Sequence, residues 1–360
     1  MQVLLTKKKN KMNKEFEEEL SESEELYEQM SIVIDKGQEP LRIDKFLMAR
    51  IEGATRNKIQ QAIENDLVLV NDKPIKNNYK IKGGDKVIIY DTTHQEASEI
   101  EPQNIPLNII YEDNDLFIVN KPIGMVAHPG CGNPDKTLIN AAAYHLKQQL
   151  PNVDDNELPR YGLVHRIDKN TSGLMVMAKN KKSMSDLAKQ FFDHTVYRRY
   201  VALVWGNFDE DQGKIVAHVG RHQKSRKLFT AYPEGDHGKD AITHYKVLER
   251  FNYVTLVECR LETGRTHQIR VHMQYIGHPL FNDDFYGGDR IVKGTVYAKY
   301  KQFVDNCFSI CSRQALHAKE LGFIHPTTKK EIIFDSEMPE DMNTIIEKWR
   351  KYSQFKNAED

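Results

Sequence analysis

The stretch DTTHQEASEIEPQNIP at residues 91–106 divides the chain in two. It is polar, holds two prolines and shows neither helical nor strand periodicity. It reads as a linker, placed at 93–106, between two units that must each bury a core of their own. At 360 residues the chain is long enough for that. Upstream, residues 15–28 carry eight acids and no base. Such a run is a solvated arm rather than a site, and the arm is taken as residues 1–32. Residues 33–92 form a compact module. Ile43, Phe46, Leu47 and Ile51 recur at helical spacing, as do Ile59, Ala62 and Ile63. Beyond Asn65 and Asp66 the pattern alternates in Val68 and Val70, turns at Asn71 and Asp72, and continues as a strand pair over 80–90 around Gly83 and Gly84. Arg42, Lys45, Arg50, Arg56 and Lys58 stud its helices, giving a small basic α/β module.

The second unit, 107–350, is read as α+β: a mixed, mainly antiparallel sheet flanked by helices and loops, followed by a polar tail at 351–360. Strands are expected at 174–179, 195–205 and 253–262, and helices at 180–193 and 264–277. Single helices between strands fit that architecture.

No apolar run approaches the roughly 18–20 residues of a membrane span. The first twenty residues turn to Lys and Glu after a short apolar patch, unlike a signal peptide. The four cysteines, Cys131, Cys259, Cys307 and Cys311, show no framework or zinc spacing, which points to a reducing, cytoplasmic compartment. A net charge of −1 argues against indiscriminate coating of nucleic acid. Locally, however, residues 156–205 carry nine Lys/Arg against four Asp/Glu, and RHQKSRK at 221–227 adds four bases. An acidic arm beside a basic middle suits a selective polyanion binder, although a charged helix face would look the same.

Three constellations could carry chemistry. His165-Arg166-Ile167-Asp168 precedes a Thr-Ser-Gly turn and the apolar Leu174, Val176 and Ala178. An acid entering a buried strand must be paired, so Asp168 is either a structural ion pair or a catalytic carboxylate. In LETGRTHQIRVHM, a helix starting near Thr266 brings His267 and Arg270 to one side, with Arg270 a natural bidentate partner for a buried Asp. His267 and His272 are five apart, the wrong spacing for a helical metal pair, so no metal is expected. In YRRYVALVWG, alternation puts Arg198, Tyr200 and Ala202 on one face, where Tyr200 is either core packing or a phenol facing the site. The chain lacks the glycine loop and Asp-Phe-Gly of kinases, and no second acid neighbours Asp168 as a glycosidase would need.

IYEDNDLFIVNKPIGMVAHPG, GLVHRIDKNTSGLMVMAKN, VYRRYVALVWG, KDAITHY, LETGRTHQIRVHMQYIGHPLFNDDFYG and RQALHA occur in this order over roughly 105–340. Together they resemble the RluA-type pseudouridine synthases. Residues 41–90 resemble the alpha-L RNA-binding motif that fronts the large-subunit rRNA members of that family.

The resemblance implies that Asp168 attacks a flipped uridine so that its glycosidic bond breaks and the uracil rejoins through carbon. Arg270 is implied as the partner of Asp168, and Tyr200 as the ring beside the base that assists proton removal. Arg166 is implied to fill the gap left by the flipped nucleotide. His165, Lys121, Arg265 and His267, with Arg42, Lys45, Arg56 and Lys58 of the small module, are expected to meet RNA. The expected partner is large-subunit ribosomal RNA at a stem-loop, with pre-ribosomal particles and without a membrane. The same chemistry on tRNA, or an idle RNA-binding assembly factor, are the alternatives. Isomerisation leaves uracil neither oxidised nor reduced, so no cofactor is expected. Asn170 departs from the family loop, which carries an acid there, and Asp66 and Asp72 stand where the module commonly has glycines.

Overall fold

The computed structural model describes residues 27–51, 54–64, 67–71, 73–91, 100–130, 133–151, 153–154, 158–223, 225, 228–295 and 297–357. Asp66, Asp72, Cys131, residues 1–26, and Lys224, Arg226 and Lys227 of the basic run lie outside them.

In the N-terminal module, β1 (Tyr27–Val33) and β3 (Val68–Val70) flank β6 (Lys86–Asp91), and β4 (Lys73–Pro74) pairs with β3, all antiparallel. Helices α1 (Ile43–Met48) and α2 (Arg56–Glu64) pack on this sheet through Ile43, Phe46, Leu47, Ile59 and Ile63, the positions whose spacing marked them as apolar faces. Two expectations are corrected. Residues 27–32 belong to β1 rather than to an arm, because Met30 and Ile32 pack on the core while their backbone covers one edge of β6. The segments expected to pair around Gly83 and Gly84 do not meet. β5 (Lys80–Ile81) pairs instead with β2 (Leu41–Arg42). A Cβ on Gly83 would lie 2.6 Å from the Lys36 carbonyl oxygen, so this turn is pressed against neighbouring chain rather than closing a hairpin.

The larger domain is built on a nine-stranded sheet. Its strands are β7 (Ile109–Glu112), β8 (Leu116–Lys121), β9 (Ser172–Ala178), β10 (Tyr197–Trp205), β11 (Gln212–Val216), β14 (Ile242–Arg250), β15 (Val254–Leu261), β16 (Leu316–Ile324) and β17 (Glu331–Asp335). The order is β11-β14-β15-β10-β16-β9-β8-β7, with β17 also on β16. A separate hairpin, β12 (His218–Arg221) and β13 (Phe229–Tyr232), projects from it.

Every residue of β9 is buried, because both faces of the sheet are covered. Met175 and Met177 face the core that holds α3 (Leu138–Gln149), while Leu174, Val176 and Ala178 face α4 (Lys181–Phe192). The remaining face carries Trp205, Phe281 and Trp349 under α6 (Ala298–Ile310) and α7 (Glu340–Asn357). Neighbouring strands run antiparallel except β16 and β9, which meet in parallel at His317–Ser172 and Ala318–Gly173. Gly173 makes this contact possible. Its φ is 122°, and a Cβ there would sit 2.2 Å from the Ala318 carbonyl oxygen. The Thr-Ser-Gly sequence is thus the entry of the Asp168 loop into the sheet.

Two ends of this domain also differ from expectation. Ile100 is buried in the main core, and Asn140 of α3 holds the carbonyl of Glu101 at 2.8 Å, so 100–106 is part of the domain rather than a loose linker. Helix α7 runs through 351–357, where a polar tail was expected. Tyr352 stacks on Phe303 with ring centroids 4.7 Å apart, which explains why the helix continues. Among the described residues no helix is long and apolar enough to cross a membrane.

Candidate active site

Asp168 stands on the loop that enters β9, and the loop is held by its own carbonyls. The Asp168 carbonyl accepts from Thr171 N–H at 3.0 Å, closing the turn. The Lys169 carbonyl accepts from Gly124 N–H at 2.9 Å and from Lys121 Nζ at 3.0 Å. The Asn170 carbonyl accepts from Arg313 Nη1 at 3.0 Å, and Arg313 also grips Asp341 of α7 at 2.8 and 3.0 Å.

Lys121, expected to meet RNA, is 1% exposed, and its ammonium also donates to the carbonyls of Pro122 and Met125 at 2.9 and 2.8 Å. Burial pulls its pKa down to about 7, against the charge of Asp168. Three carbonyls match the three N–H bonds of an ammonium. Out of reach of a nucleic acid, Lys121 positions the loop.

The Asp168 carboxylate is 17% exposed and receives Arg270 Nη1 at 3.2 Å, with His267 Nε2 at 4.0 Å. The fork of Arg270 points elsewhere, which corrects the expected bidentate pair. Its Nε and Nη2 donate to the two oxygens of Asp283 at 2.7 and 2.9 Å. Asp283 is fully buried and also accepts from the N–H groups of Phe285 and Tyr286 at 3.1 and 3.2 Å. A second acid thus shares Arg270 with Asp168, through the other edge of the guanidinium. Asp283 lies in the FNDDFYG stretch, where two adjacent acids between aromatics were the available signal. Because Asp283 fixes the guanidinium, Asp168 needs only one of its hydrogen bonds and keeps its other oxygen open.

Burial raises the pKa of Asp168, while His267 in its protonated form, the charges of Arg270 and Arg166 and the Arg270 hydrogen bond bring it below the usual carboxylate value. Burial also holds His267 down at about 4, so at neutral pH its ring is uncharged and the two arginines keep the carboxylate ionised.

His267 adopts a left-handed backbone (φ 56°) just before α5 (Gln268–Tyr275), two residues after the helix start read from the sequence. Its Nδ1 lies 2.8 Å from the Tyr286 hydroxyl. Gln268 ties the helix to β14: its Nε2 donates to the Ile242 carbonyl and Thr243 hydroxyl, and its Oε1 accepts from Thr263 Oγ1 and Arg265 N–H. Gln268 and Arg313 lie within motifs quoted from the sequence, but no role is legible for either there, because their partners come together only in the fold.

A pocket of about 70 Å³ opens on Asp168, lined by Arg166, Tyr200, Arg265, His267 and Arg270 among others. Tyr200 is 9% exposed, and burial raises its pKa, so it is a neutral phenol. His165 is not in this lining. Its ring stacks on Phe191, centroids 4.3 Å apart, and Nε2 accepts from Val176 N–H at 3.0 Å. Burial and the nearby Arg198 push His165 down to about 3, so it brings no charge to a phosphate. Lys45, Arg56 and Lys58 are exposed in the N-terminal module, with Arg42 half-buried beside them.

Both parts of the chain are similar to known proteins. The family model for RNA pseudouridylate synthases matches residues 115–275, and that for the S4 domain matches 41–87. An RNA pseudouridine synthase of Chlorobaculum parvum is 44% identical over 89% of this chain and 98% of its own. The ribosomal large subunit pseudouridine synthase D of Escherichia coli is 39% identical over 89% and 94%. That of Zymomonas mobilis is 41% identical over 85% and 92%. Human RNA pseudouridylate synthase domain containing 4 shares the fold with a TM-score of 0.54 at 21% identity, over 68% of this chain and 93% of that one.

Proposed function

The chain belongs to the RNA pseudouridine synthases, and from that premise we propose that it isomerises uridines of large-subunit ribosomal RNA with Asp168 as nucleophile. The observation that carries the assignment is an ionised carboxylate at a small pocket, anchored through an arginine whose fork is already occupied by Asp283. The relatives named for ribosomal large subunit modification support that substrate, as does the basic S4 module.

A uridine within a stacked RNA must be extruded before Asp168 can reach it, at roughly a few kcal/mol, least in the loop of a stem-loop. The pocket that opens on Asp168, walled by Tyr200, is where the extruded base lies in this reading. Arg166, which also lines it, moves into the space that the base vacates in the RNA and stabilises the flipped state. Attack by Asp168 then lets the N1–C1′ bond break. The detached uracil turns so that C5 bonds to C1′ and displaces the Asp168 carboxylate from it, the C5 proton leaves and N1 gains one. Product and substrate are isomers, and the chemistry requires no redox partner. Tyr200, a neutral phenol, forms the wall beside the base and relays the proton rather than acting as a resident phenolate.

Tritium release from RNA labelled at uracil C5 tests this directly, with Asp168→Asn beside the unaltered enzyme. Release from large-subunit rRNA by the unaltered enzyme alone is the expected result. Release from tRNA only would move the substrate, and equal release by Asp168→Asn would remove the nucleophile.

A further inference from the structure

Strand β10 brings a fourth arginine to the site, beside Arg166, Arg265 and Arg270. Arg198 lines the Asp168 pocket and also an adjoining groove of about 890 Å³ that runs over Lys214, Tyr245, Lys246 and Arg260. Its Nε and Nη2 are buried and make no hydrogen bond to any described residue. Of the carboxylates that line the groove, Glu258 is engaged by Arg199 and Glu262 by Lys214 and His244, and Glu331 lines it too. The groups packed around Arg198 are the rings of Phe191 and Tyr200 and the burial-depressed His165 and His194, and Asp168, which lines the same pocket, is paired with Arg270. Gly264 lets the guanidinium pack this close, since a Cβ there would lie 2.4 Å from Nη1.

Buried guanidinium nitrogens without an acceptor are costly, and an acceptor brought by the substrate removes that cost. The free nitrogens say which acceptor. Nε and Nη2 form the edge with which Arg270 grips both oxygens of Asp283. That edge matches the paired oxygens of a carboxylate or phosphate. It does not match uracil, whose two carbonyls are separated by an N–H donor.

We propose that Arg198 is a phosphate-binding subsite, holding through Nε and Nη2 a phosphodiester that flanks the uridine at Asp168. The assignment rests on the reading that an RNA uridine enters this pocket. The strand then continues along the adjoining groove, and the anion gives the two nitrogens the acceptors they lack in the free enzyme.

The test uses the full-length protein, Arg198→Gln and Arg198→Lys, with C5-tritiated target RNA. Arg198→Gln should weaken RNA binding about tenfold and reduce the slope of log K against log salt by roughly one, with a several-fold smaller loss in the saturated single-turnover rate. Arg198→Lys should keep the salt slope. Thermal unfolding separates binding from a structural role, because removing an unpaired buried charge leaves the melting temperature equal or higher. A neutral methylphosphonate is then placed in turn at each phosphate flanking the target, with 2′-O-methyl ribose on the linkage and a matched phosphodiester control. At one of the two positions it should cost the unaltered enzyme the same tenfold and cost Arg198→Gln nothing further. Additive losses at both positions, or unaltered affinity and slope in Arg198→Gln, would overturn the assignment while tritium release by the unaltered enzyme left the functional reading standing. No release by the unaltered enzyme would overturn that reading and this assignment with it.

Discussion

One buried carboxylate in the N-terminal module gathers two arginines, whereas one buried arginine at the active site gathers two carboxylates. Asp44 is fully buried and accepts from Arg42 at 2.9 and 3.1 Å and from Arg56 at 3.3 Å, both arginines reaching solvent. Arg270 is 3% exposed and is shared between buried Asp283 and pocket-facing Asp168. The stoichiometries are inverse, and so are the surpluses. The module keeps an extra positive charge on its surface, where a polyanion can use it. The Arg270 cluster keeps an extra negative charge on the carboxylate proposed as nucleophile, in a pocket that Arg166, Arg198 and Arg265 also line.

The largest expected effect comes from removing that surplus. Asp168→Asn should reduce turnover by more than about 10³-fold while RNA affinity stays within a few-fold, since the cationic lining remains. Parallel loss of affinity would mean that Asp168 shapes the site rather than reacting. The pH dependence carries the same sign. The pKa of Asp168 is held below its ordinary 3.8, so its anion persists above that value and is lost only as pH falls through the depressed one. Single-turnover rates should therefore show no acid limb from this group between pH 5 and 7, about one to three units above its ordinary value. A titration near pH 6 would contradict the charge arrangement.

Asp283→Asn attacks the other carboxylate. It leaves a buried guanidinium with a weaker acceptor, which costs stability on the order of 3 kcal/mol and frees the fork to turn towards Asp168. Turnover should fall about 10²-fold, with a melting temperature clearly below that of Asp168→Asn. A stable and active variant would show that Asp168 alone suffices to fix Arg270.

These two carboxylates also mark how far the sequence could be read. Asp168 was legible because it interrupts a basic loop ahead of an apolar strand, and the order of motifs around it resembled one family. The apolar faces of α1 and α2 were legible from spacing. Asp283 was not, because pairing with Arg270 joins residues on opposite sides of the turn at 276–282. Lys121 was misread for a related reason. A lysine in a Lys-Pro turn looks exposed, and only the three carbonyls converging on it show otherwise. The paired segments 80–81 and 86–91 were misassigned because a glycine pair signals a turn without saying which strands it separates.

Arg270→Lys sharpens the comparison further. A lysine keeps the charge but not the fork, so Asp283 and Asp168 compete for one ammonium. Turnover should drop about 10- to 100-fold, less than for Asp168→Asn, with the loss in the saturated rate rather than in affinity. Unaltered rates would mean that charge, not geometry, is what Asp168 requires.

On the module side effects should be smaller and of a different kind. Lys45→Gln with Lys58→Gln removes two exposed cations, and should weaken RNA binding severalfold with a salt slope shallower by roughly one to two. The saturated single-turnover rate should not follow. An unchanged slope would remove this face from the RNA contact.

Asp44→Asn is expected to do least, and the reason closes the comparison. At the active site, losing one partner strands a charge in the interior. In the module, Arg42 and Arg56 are 37% and 55% exposed and can turn to water. The amide oxygen of the substituted side chain can still accept from Lys45 N–H, as the Asp44 carboxylate does at 2.9 Å. Stability should fall by only about 1 kcal/mol, and RNA affinity should hold or rise, because one negative charge has left a basic face. A destabilisation as large as that of Asp283→Asn, read by thermal unfolding, would mean that the two arginines are as confined as Arg270. The module would then owe its positive surface to a buried network rather than to a solvated one.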